Sequence, residues 1–267
     1  MTFISSRNFV RCGNGSDKNS STGKSIAVVE AFFAKTKDLV TVYPVLNNYI
    51  DKNDKIKADQ LHSEDDRMTY LACHTMLRLV LSKKLDIDPG EIFIVTDKNN
   101  KPRLPGDTIF FNISHTREAF AFVISDKTNV GIDLEKVDRD IDFESIIKRF
   151  FSKREGEFIF ESPFDMRNRF FLLWTRKEAL LKALGTGIIS NLSDIEVFRN
   201  DNILDWKLFD NVTDDSAFVD HFIYSNKISD YYVSIAVSEK SKINMNRLDG
   251  VNARYSNYLL SFLRSFK

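Results

Sequence analysis

Two acidic residues stand two positions apart in the segment VGIDLEK, and their spacing is a pattern with a chemical use. Asp133 and Glu135 lie in a β-branched, apolar stretch that predicts a β-strand. Because alternate side chains of a strand share a face, both carboxylates would project from one side, where like charges repel. A divalent cation would remove that repulsion, and an oxygen-only ligand set suits Mg²⁺. Taken alone, the pattern fits an acidic, solvent-facing strand better.

A third carboxylate and a lysine stand four positions apart in WTRKEALLKALGTG. Glu178 and Lys182 would share one face of a helix. In a functional interpretation, the carboxylate binds the metal and the ammonium binds a phosphate. An ordinary surface pair of this kind is common and contributes only about 0.2–0.5 kcal/mol. For the pair in isolation, the surface interpretation is again favoured.

The segment FNISHT ends a predicted strand with two hydrogen-bond donors. Ser114 and His115 can both donate to phosphate oxygens. A catalytic serine–histidine pair is a weaker interpretation, since adjacent residues rarely point at each other as nucleophile and base. The simplest interpretation of a lone histidine there is a local hydrogen bond at the strand end.

Basic residues recur before these motifs and within KPRLPG. Each one alone is an ordinary solvated side chain, but together they would line an anion pocket for a nucleotide with several phosphates. These residues are Lys52, Lys55, Lys57, Arg67, Arg78, Lys101 and Arg103.

A partial match to a different phosphate-binding motif, the P-loop, lies near the start of the chain. The tripeptide at residues 23–25 is Gly-Lys-Ser, the end of a P-loop. That motif needs a glycine five residues before Gly23, where this chain has Lys18, and it needs a firm preceding strand. A polar, flexible leader over residues 1–25 is therefore the favoured interpretation.

The elements that must position these residues follow from periodicity. Apolar side chains at helical spacing predict helices over residues 66–83 and 166–184, the second ended by two glycines. Ser152 with Glu155 three residues later predicts a capping box at the start of another helix. β-branched and aromatic runs predict strands at residues 39–46, 92–95, 109–113, 119–125, 130–135, 195–198, 203–209, 218–224 and 231–237.

The order of these elements repeats: a long helix, a loop and then strands. This order predicts an α+β fold of two similar lobes, each a small, mainly antiparallel sheet packed on a long helix, with a ligand cleft between them. The predicted divisions are a leader at 1–25, an N-terminal lobe at 26–130, a C-terminal lobe at 131–240 and a helical tail at 241–267.

The composition narrows the class of protein. Lys and Arg number 38, as do Asp and Glu, so bulk charge does not favour a nucleic-acid binder. The two cysteines, Cys12 and Cys73, form neither a disulfide scaffold nor a zinc site. The sequence has no apolar run long enough for a membrane span and no apolar signal region near Met1, so we expect a cytoplasmic protein.

Taken in order, the motifs KPRLPG, FNISHT, VGIDLEK, RFFSKRE and WTRKEALLKALGTG resemble the 4'-phosphopantetheinyl transferases of the surfactin-synthetase type. The resemblance runs from about Lys52 to about Gly187, with a weaker strand pattern to Val237. The pair GxDxE and, some forty residues later, WxxKEAxxK is its most specific part. One departure is Asn100, where the family usually has glycine before Lys-Pro; asparagine tolerates a left-handed backbone.

The resemblance implies a pseudo-dimer of two α+β lobes in one chain, acting as a monomer, with coenzyme A in the cleft. The metal carboxylates would be Asp133, Glu135 and Glu178, and the phosphate-binding lysine Lys182. Contacts to coenzyme A would come from Lys52, Lys55, Lys101, Pro102, Ser114 and His115.

The reaction implied is Mg²⁺-dependent transfer of 4'-phosphopantetheine from coenzyme A to a serine of an apo acyl or peptidyl carrier protein. Adenosine 3',5'-bisphosphate is the second product, and Glu178 or a metal-bound water takes the serine proton. The sequence names neither the carrier nor the pathway. Two alternatives stay open: a non-catalytic carrier-binding module of the same fold and, less favoured, a P-loop nucleotide switch.

Overall fold

The computed structural model describes residues 26–39, 42–137, 141–187, 191–197 and 221–248. Its helices are α1 (Tyr43–Leu46), α2 (Lys52–Asp59), α3 (Glu64–Leu85), α4 (Phe143–Phe150), α5 (Lys153–Phe160) and α6 (Met166–Leu184). Its strands are β1 (Ala27–Lys35), β2 (Val95–Thr96), β3 (Pro102–Arg103), β4 (Phe110–His115), β5 (Ala119–Ser125), β6 (Val130–Lys136), β7 (Phe222–Ile228), β8 (Tyr231–Val237) and β9 (Ser241–Arg247).

The chain divides into two compact units. One contains the described residues between 29 and 127 together with 243–248, and the other contains the described residues between 128 and 242 together with 26–28. Small sheets packed on helices make both units mixed, so the predicted α+β class is confirmed.

A four-stranded sheet in the order β4-β5-β1-β9 forms the first unit with α3. β5 pairs antiparallel with both β1 and β4, and every one of its residues is buried. The small, aromatic and β-branched residues of its sequence, AFAFVIS, suit a central strand that is covered on both faces. β5 therefore forms the middle of this unit's core, and the predicted strand at 119–125 is confirmed.

Helix α3 packs on this sheet, and its ends explain its length. The Ser63 hydroxyl accepts a hydrogen bond from the Asp66 amide, and three acidic residues fill the first turn. Asp86 ends the helix in a left-handed conformation with φ of 55°. Acidic side chains at the start and lysines at the end stabilise the helix, because their charges are opposite to the partial charges of the helix dipole at those ends. The helix predicted at 66–83 is confirmed, with one more turn shared between its two ends.

The second unit is built on a three-stranded antiparallel sheet in the order β6-β8-β7, covered by α6. Gly185 ends α6 with φ of 70°, a conformation that glycine adopts without steric cost. The helix predicted at 166–184 is confirmed at both ends. An aromatic cluster fills the core beside it, formed by Phe143, Phe150, Phe151, Phe170, Phe171 and Trp174.

A buried ion pair joins α5 to α6. The Lys177 ammonium lies 2.9 Å from Glu155 Oε2, and both side chains have no exposed surface. Lys177 also donates to the carbonyls of Leu192 and Ile195, and Glu155 Oε1 accepts from the Val197 amide at 2.7 Å. Burial lowers the pKa of Lys177, while the Glu155 charge acts in the opposite direction. The predicted capping box is confirmed, and its glutamate also holds this pair.

Three strand predictions need correction. Residues 43–46, predicted as part of a strand, form α1, because a single helical turn buries both Val42 and Leu46. The strand predicted from residue 92 begins at Val95, after a 3-10 turn at Pro89–Glu91. Residues 195–197 are not a strand, because their backbone groups bond to Lys177 and Glu155 instead.

Other predictions fall beyond the described part of the chain. The leader with its Gly-Lys-Ser tripeptide, the strand at 203–209 and residues 249–267 of the predicted helical tail lie there. The helical prediction is wrong for residues 241–247 of that tail, because Ser241–Arg247 forms strand β9 of the four-stranded sheet. The strand predicted at 218–224 is described from residue 221, and β7 begins at Phe222. Among the described residues, no helix combines the length and the apolar character needed to cross a bilayer.

Lys177→Met should lower the free energy of unfolding by about 3–5 kcal/mol, because it leaves a carboxylate buried without its counter-ion. Denaturant unfolding followed by circular dichroism measures the change. Lys153→Met is the control: Lys153 lies 3.9 Å from Glu157 at the surface, and such pairs contribute about 0–1 kcal/mol. Equal losses in the two variants would show that the buried pair is not a stabilising contact.

Candidate active site

Strand β6 and helix α6 approach each other unusually closely at Gly131. A Cβ atom placed on Gly131 would lie 2.1 Å from the Ala179 carbonyl oxygen and 2.3 Å from the Ala183 amide nitrogen. No side chain fits there, so glycine on the strand and two alanines on the helix allow backbone-to-backbone packing. The face of β6 that carries Gly131 also carries Asp133 and Glu135, since alternate residues share a face. Both predicted metal carboxylates therefore lie on the helix side of β6.

Asp133 and Lys182 form an ion pair across this contact. Lys182 Nζ donates to Asp133 Oδ1 at 2.7 Å. The Asp133 residue is 5% exposed and the Lys182 side chain 29%, so the pair lies at the edge of the buried region. The structure therefore brings the predicted phosphate-binding lysine to a predicted metal ligand.

Glu178 lies one helical turn before Lys182 and belongs to the same group. Burial, the charge of Asp133 and, less strongly, the charge of Glu135 together raise the pKa of Glu178 to about 7, against the opposing charge of Lys182. Its Oε1 atom is buried and accepts no hydrogen bond from any described residue. The three carboxylates and the lysine are thus one electrostatic cluster, as the sequence predicted.

The chemistry of this cluster fits a hard divalent cation. All its candidate donors are carboxylate oxygens, the type that Mg²⁺ prefers, and one of them has a buried oxygen without a partner in the described chain. Among the described residues, no three acidic, histidine or cysteine side chains are arranged to enclose one ion. Instead, the Lys182 ammonium supplies the positive charge beside Asp133.

Ser114 and His115 end strand β4 in the other unit. Ser114 is buried and His115 is exposed, as alternation along a strand requires. The Tyr70 ring meets the His115 ring edge-on, with centroids 6.0 Å apart. Only His115 therefore presents its side chain to solvent, supported by an aromatic ring from α3.

The Lys-Pro dipeptide follows a tight turn between β2 and β3. Asn100 has φ of 63°, the left-handed conformation that asparagine tolerates, so the family's glycine is not needed. The Asp97 carboxylate accepts from the amides of Asn99 and Lys101 at 2.8 and 2.9 Å. Burial lowers the pKa of Lys101 to about 8, against the opposing charge of Asp97.

Lys52 and Lys55 are both exposed on helix α2. They stand three residues apart and therefore share a face of that helix. Asp51 caps its start by accepting from the amides of Asn53 and Asp54. Asp54 of α2 forms ion pairs with His74 and Arg78 of α3.

Sequence reasoning missed a buried chain of hydroxyl groups behind the cluster. Ser234 stands opposite Asp133 on the neighbouring strand, and its hydroxyl lies 2.8 Å from that of Thr175 and 2.9 Å from that of Ser225. Arg176 donates to Ser225 at 2.9 Å. These contacts fix the rotation of α6 against the sheet, and no local pattern predicts them because they join three separate elements.

Two family models match adjoining parts of the chain. The model described as 4'-phosphopantetheinyl transferase superfamily matches residues 129–236. The model described as 4'-phosphopantetheinyl transferase, N-terminal, matches residues 40–128. The chain belongs to the 4'-phosphopantetheinyl transferase superfamily. Asp133, Glu135, Glu178 and Lys182 all lie within the first of these matches.

Curated proteins similar to this superfamily member carry transferase names. It is 31% identical over 153 residues to 4'-phosphopantetheinyl transferase HetI of Nostoc sp., a match covering 55% of this chain and 64% of HetI. It is 33% identical to 4'-phosphopantetheinyl transferase Sfp of Bacillus subtilis, covering 51% and 60%. It is 28% identical to the L-aminoadipate-semialdehyde dehydrogenase-phosphopantetheinyl transferase of Rattus norvegicus, covering 55% and 52%. Each match spans less than two thirds of the relative's own length.

Gly131→Ala should destabilise the protein by about 1–3 kcal/mol or more, because its methyl group overlaps the α6 backbone. The control is Gly156→Ala inside α5, whose Cβ would lie 3.4 Å from an Ile147 methyl group, an ordinary contact. That change should be neutral or add about 0.5–1 kcal/mol, since alanine is the better helix former. Thermal melts of both variants measure the difference. A Gly131→Ala protein as stable as the control would show that α6 can move away freely.

Proposed function

We propose that this protein transfers the 4'-phosphopantetheine arm of coenzyme A to a serine of an apo carrier protein. The observation that carries the proposal is the cluster of Asp133, Glu135, Glu178 and Lys182 on β6 and α6. It combines three carboxylates with a lysine in the segment that matches the transferase superfamily. The nucleophile belongs to the carrier, so the chain itself needs no nucleophilic residue.

In the proposed reaction, the serine oxygen of the carrier attacks the β-phosphorus of coenzyme A. A new phosphorus–oxygen bond forms as the bond to the adenylate part breaks, and adenosine 3',5'-bisphosphate leaves. The serine proton goes to Glu178, which has a buried oxygen with unused acceptor capacity. Lys182 stabilises the negative charge that shifts onto the pyrophosphate oxygens as the bond breaks.

Asp133, Glu135 and Glu178 would hold the Mg²⁺ ion in this proposal. When bound there, the ion would supply positive charge to neutralise the pyrophosphate and make the reacting phosphorus more electrophilic. The chain's own contribution is to hold the three carboxylates on a rigid strand and a rigid helix. Their mutual repulsion is part of what raises the pKa of Glu178, so a divalent cation would relieve an unfavourable arrangement.

Further contacts to the nucleotide part of coenzyme A would come from residues on α2 and β4 and at the start of β3. Lys52 and Lys55 supply exposed ammonium groups for its phosphates, and His115 supplies an exposed imidazole at the end of β4. Lys101 and Pro102 would border the adenine, as the resemblance implies. Ser114 is buried, so we assign its contribution to shaping the strand end.

We further propose that the protein acts as a monomer in the cytoplasm. A single chain supplies two α+β units, and the cysteine in its described part, Cys73, is buried and not in a disulfide. Sedimentation velocity tests the monomer, and fractionation of the source cells tests the location. A non-catalytic carrier-binding module is the second candidate, and complete retention of the charged cluster disfavours it.

An apo carrier protein incubated with coenzyme A, Mg²⁺ and this protein should gain one phosphopantetheine group. Intact-mass spectrometry detects the product, and fatty-acid, polyketide and nonribosomal-peptide carriers should be compared. Excess EDTA or Asp133→Ala should abolish transfer, because both remove the proposed metal site. Transfer that persists in EDTA would remove the metal from the proposal. Carrier binding without transfer to any of the three would favour the non-catalytic module.

Lys182→Ala should reduce turnover by about a hundredfold or more at saturating coenzyme A and carrier, the usual cost of removing one preorganised charge donor. Lys182→Arg should rescue poorly, because a planar guanidinium does not replace a compact ammonium. Lys148→Ala, an exposed lysine of α4, is the control. If Lys182→Ala turned over within threefold of Lys148→Ala, Lys182 would have only a structural role.

A further inference from the structure

Helix α2 lacks the apolar face that normally holds a helix in place. Its sequence is KNDKIKAD, and Ala58 is its one buried residue. Ile56, its largest apolar side chain, is 60% exposed. Burying one alanine contributes little hydrophobic free energy, so packing alone does not fix the position of this helix.

A single carboxylate supplies the missing attachment. Asp54 Oδ1 lies 3.3 Å from His74 Nδ1, and its Oδ2 lies 3.5 Å from an Arg78 guanidinium nitrogen. Both partners come from α3. The Asp54 side chain is only 13% exposed, so these contacts are poorly screened by water.

The partners of Asp54 are themselves held in place. Arg78 donates to the carbonyls of Pro89 and Ile92, and it also lies 3.7 Å from the N-cap residue Asp51. The His74 ring stacks on the Tyr70 ring, with centroids 4.0 Å apart. Although burial raises the pKa of Asp54, the contacts with His74 and Arg78 outweigh it, so the pKa is lowered. The carboxylate is therefore charged and anchored to a rigid part of α3.

We propose that Asp54 is a positioning residue for recognition of the nucleotide phosphates. It holds in place the helix that carries Lys52 and Lys55. It also contacts His74, whose ring stacks on the Tyr70 ring that supports His115. The three exposed cationic or imidazole groups assigned to coenzyme A in this unit thus depend on one carboxylate that is largely shielded from solvent. This inference rests on the proposed function, since it concerns the binding of the same substrate.

The geometry predicts an effect on binding and not on chemistry. Without the Asp54 charge, α2 keeps the Ala58 contact and the weaker Asp51–Arg78 pair, and its lysines lose their fixed positions. Affinity for coenzyme A should fall, while turnover at saturating substrate should change little, because Asp133, Glu178 and Lys182 belong to the other unit. A general loss of stability would instead lower both the affinity for coenzyme A and the turnover at saturating substrate.

The test compares Asp54→Asn with Asp59→Asn, which removes the same charge from an exposed position on the same helix. Calorimetry measures the affinities for coenzyme A and for dephospho-coenzyme A, which lacks the 3'-phosphate. Asp54→Asn should weaken coenzyme A binding about tenfold, the scale of one charge-assisted contact. It should weaken dephospho-coenzyme A binding less, so the preference for the 3'-phosphate shrinks. Asp59→Asn should leave both affinities at their wild-type values.

His74→Phe keeps a ring that can stack on Tyr70 and removes the nitrogen that contacts Asp54. It should produce a smaller change in the same direction, and it serves if Asp54→Asn does not fold. Unchanged affinities in a folded Asp54→Asn protein, or equal losses for both ligands, would overturn the positioning role and leave the transferase proposal intact. A wild-type protein that neither binds coenzyme A nor modifies a carrier would overturn both.

Discussion

The active-site cluster depends on one steric constraint, the backbone contact between β6 and α6 at Gly131. Because no Cβ fits there, the helix lies close enough to the strand for Lys182 to form a hydrogen bond with Asp133. The same short distance lets the charges of both strand carboxylates raise the pKa of Glu178. A larger residue at position 131 would separate the strand from the helix and weaken every one of these interactions together. The distance between the charged side chains of β6 and those of α6 is therefore set by a residue without a side chain, Gly131.

The two units solve the problem of holding charged residues in different ways. In the unit of β6 and α6, the side chains proposed to act in catalysis project from elements that are packed in a large core. In the other unit, two lysines project from a helix that is attached mainly through the Asp54 carboxylate, which is largely shielded from solvent. The first arrangement suits a reacting centre that must be precise. In the second arrangement, the position of the two lysines depends mainly on the electrostatic contacts between Asp54 and helix α3.

Much of the fold follows from the sequence because its signals are local. The helices at 66–83 and 166–184 carry caps and periodic apolar residues within their own spans, and the spacing of Asp133 and Glu135 fixes their shared face. The strand predicted from residue 39 was wrong because a β-branched composition does not show that Val42 and Leu46 are buried by one helical turn.

What the sequence could not show are contacts between distant elements. In the sequence, Asp54 resembles many surface carboxylates, and only the folded chain places a histidine and an arginine of α3 around it. The alanines that face Gly131 stand four residues apart on α6, and that spacing is a weak signal of close packing. Neither partnership follows from propensity or periodicity, since both depend on how separate elements meet in the folded chain.

The contacts of Glu155 affect how this part of the protein unfolds locally. Its carboxylate receives the start of α5, the Lys177 ammonium from α6 and the Val197 amide. If any one of these three segments separates from the others, the Glu155 carboxylate, which is fully buried in the native state, loses one of its partners. They should therefore exchange their amide hydrogens as one cooperative foldon, with 191–197, irregular in conformation, as slow to exchange as the helices that flank it.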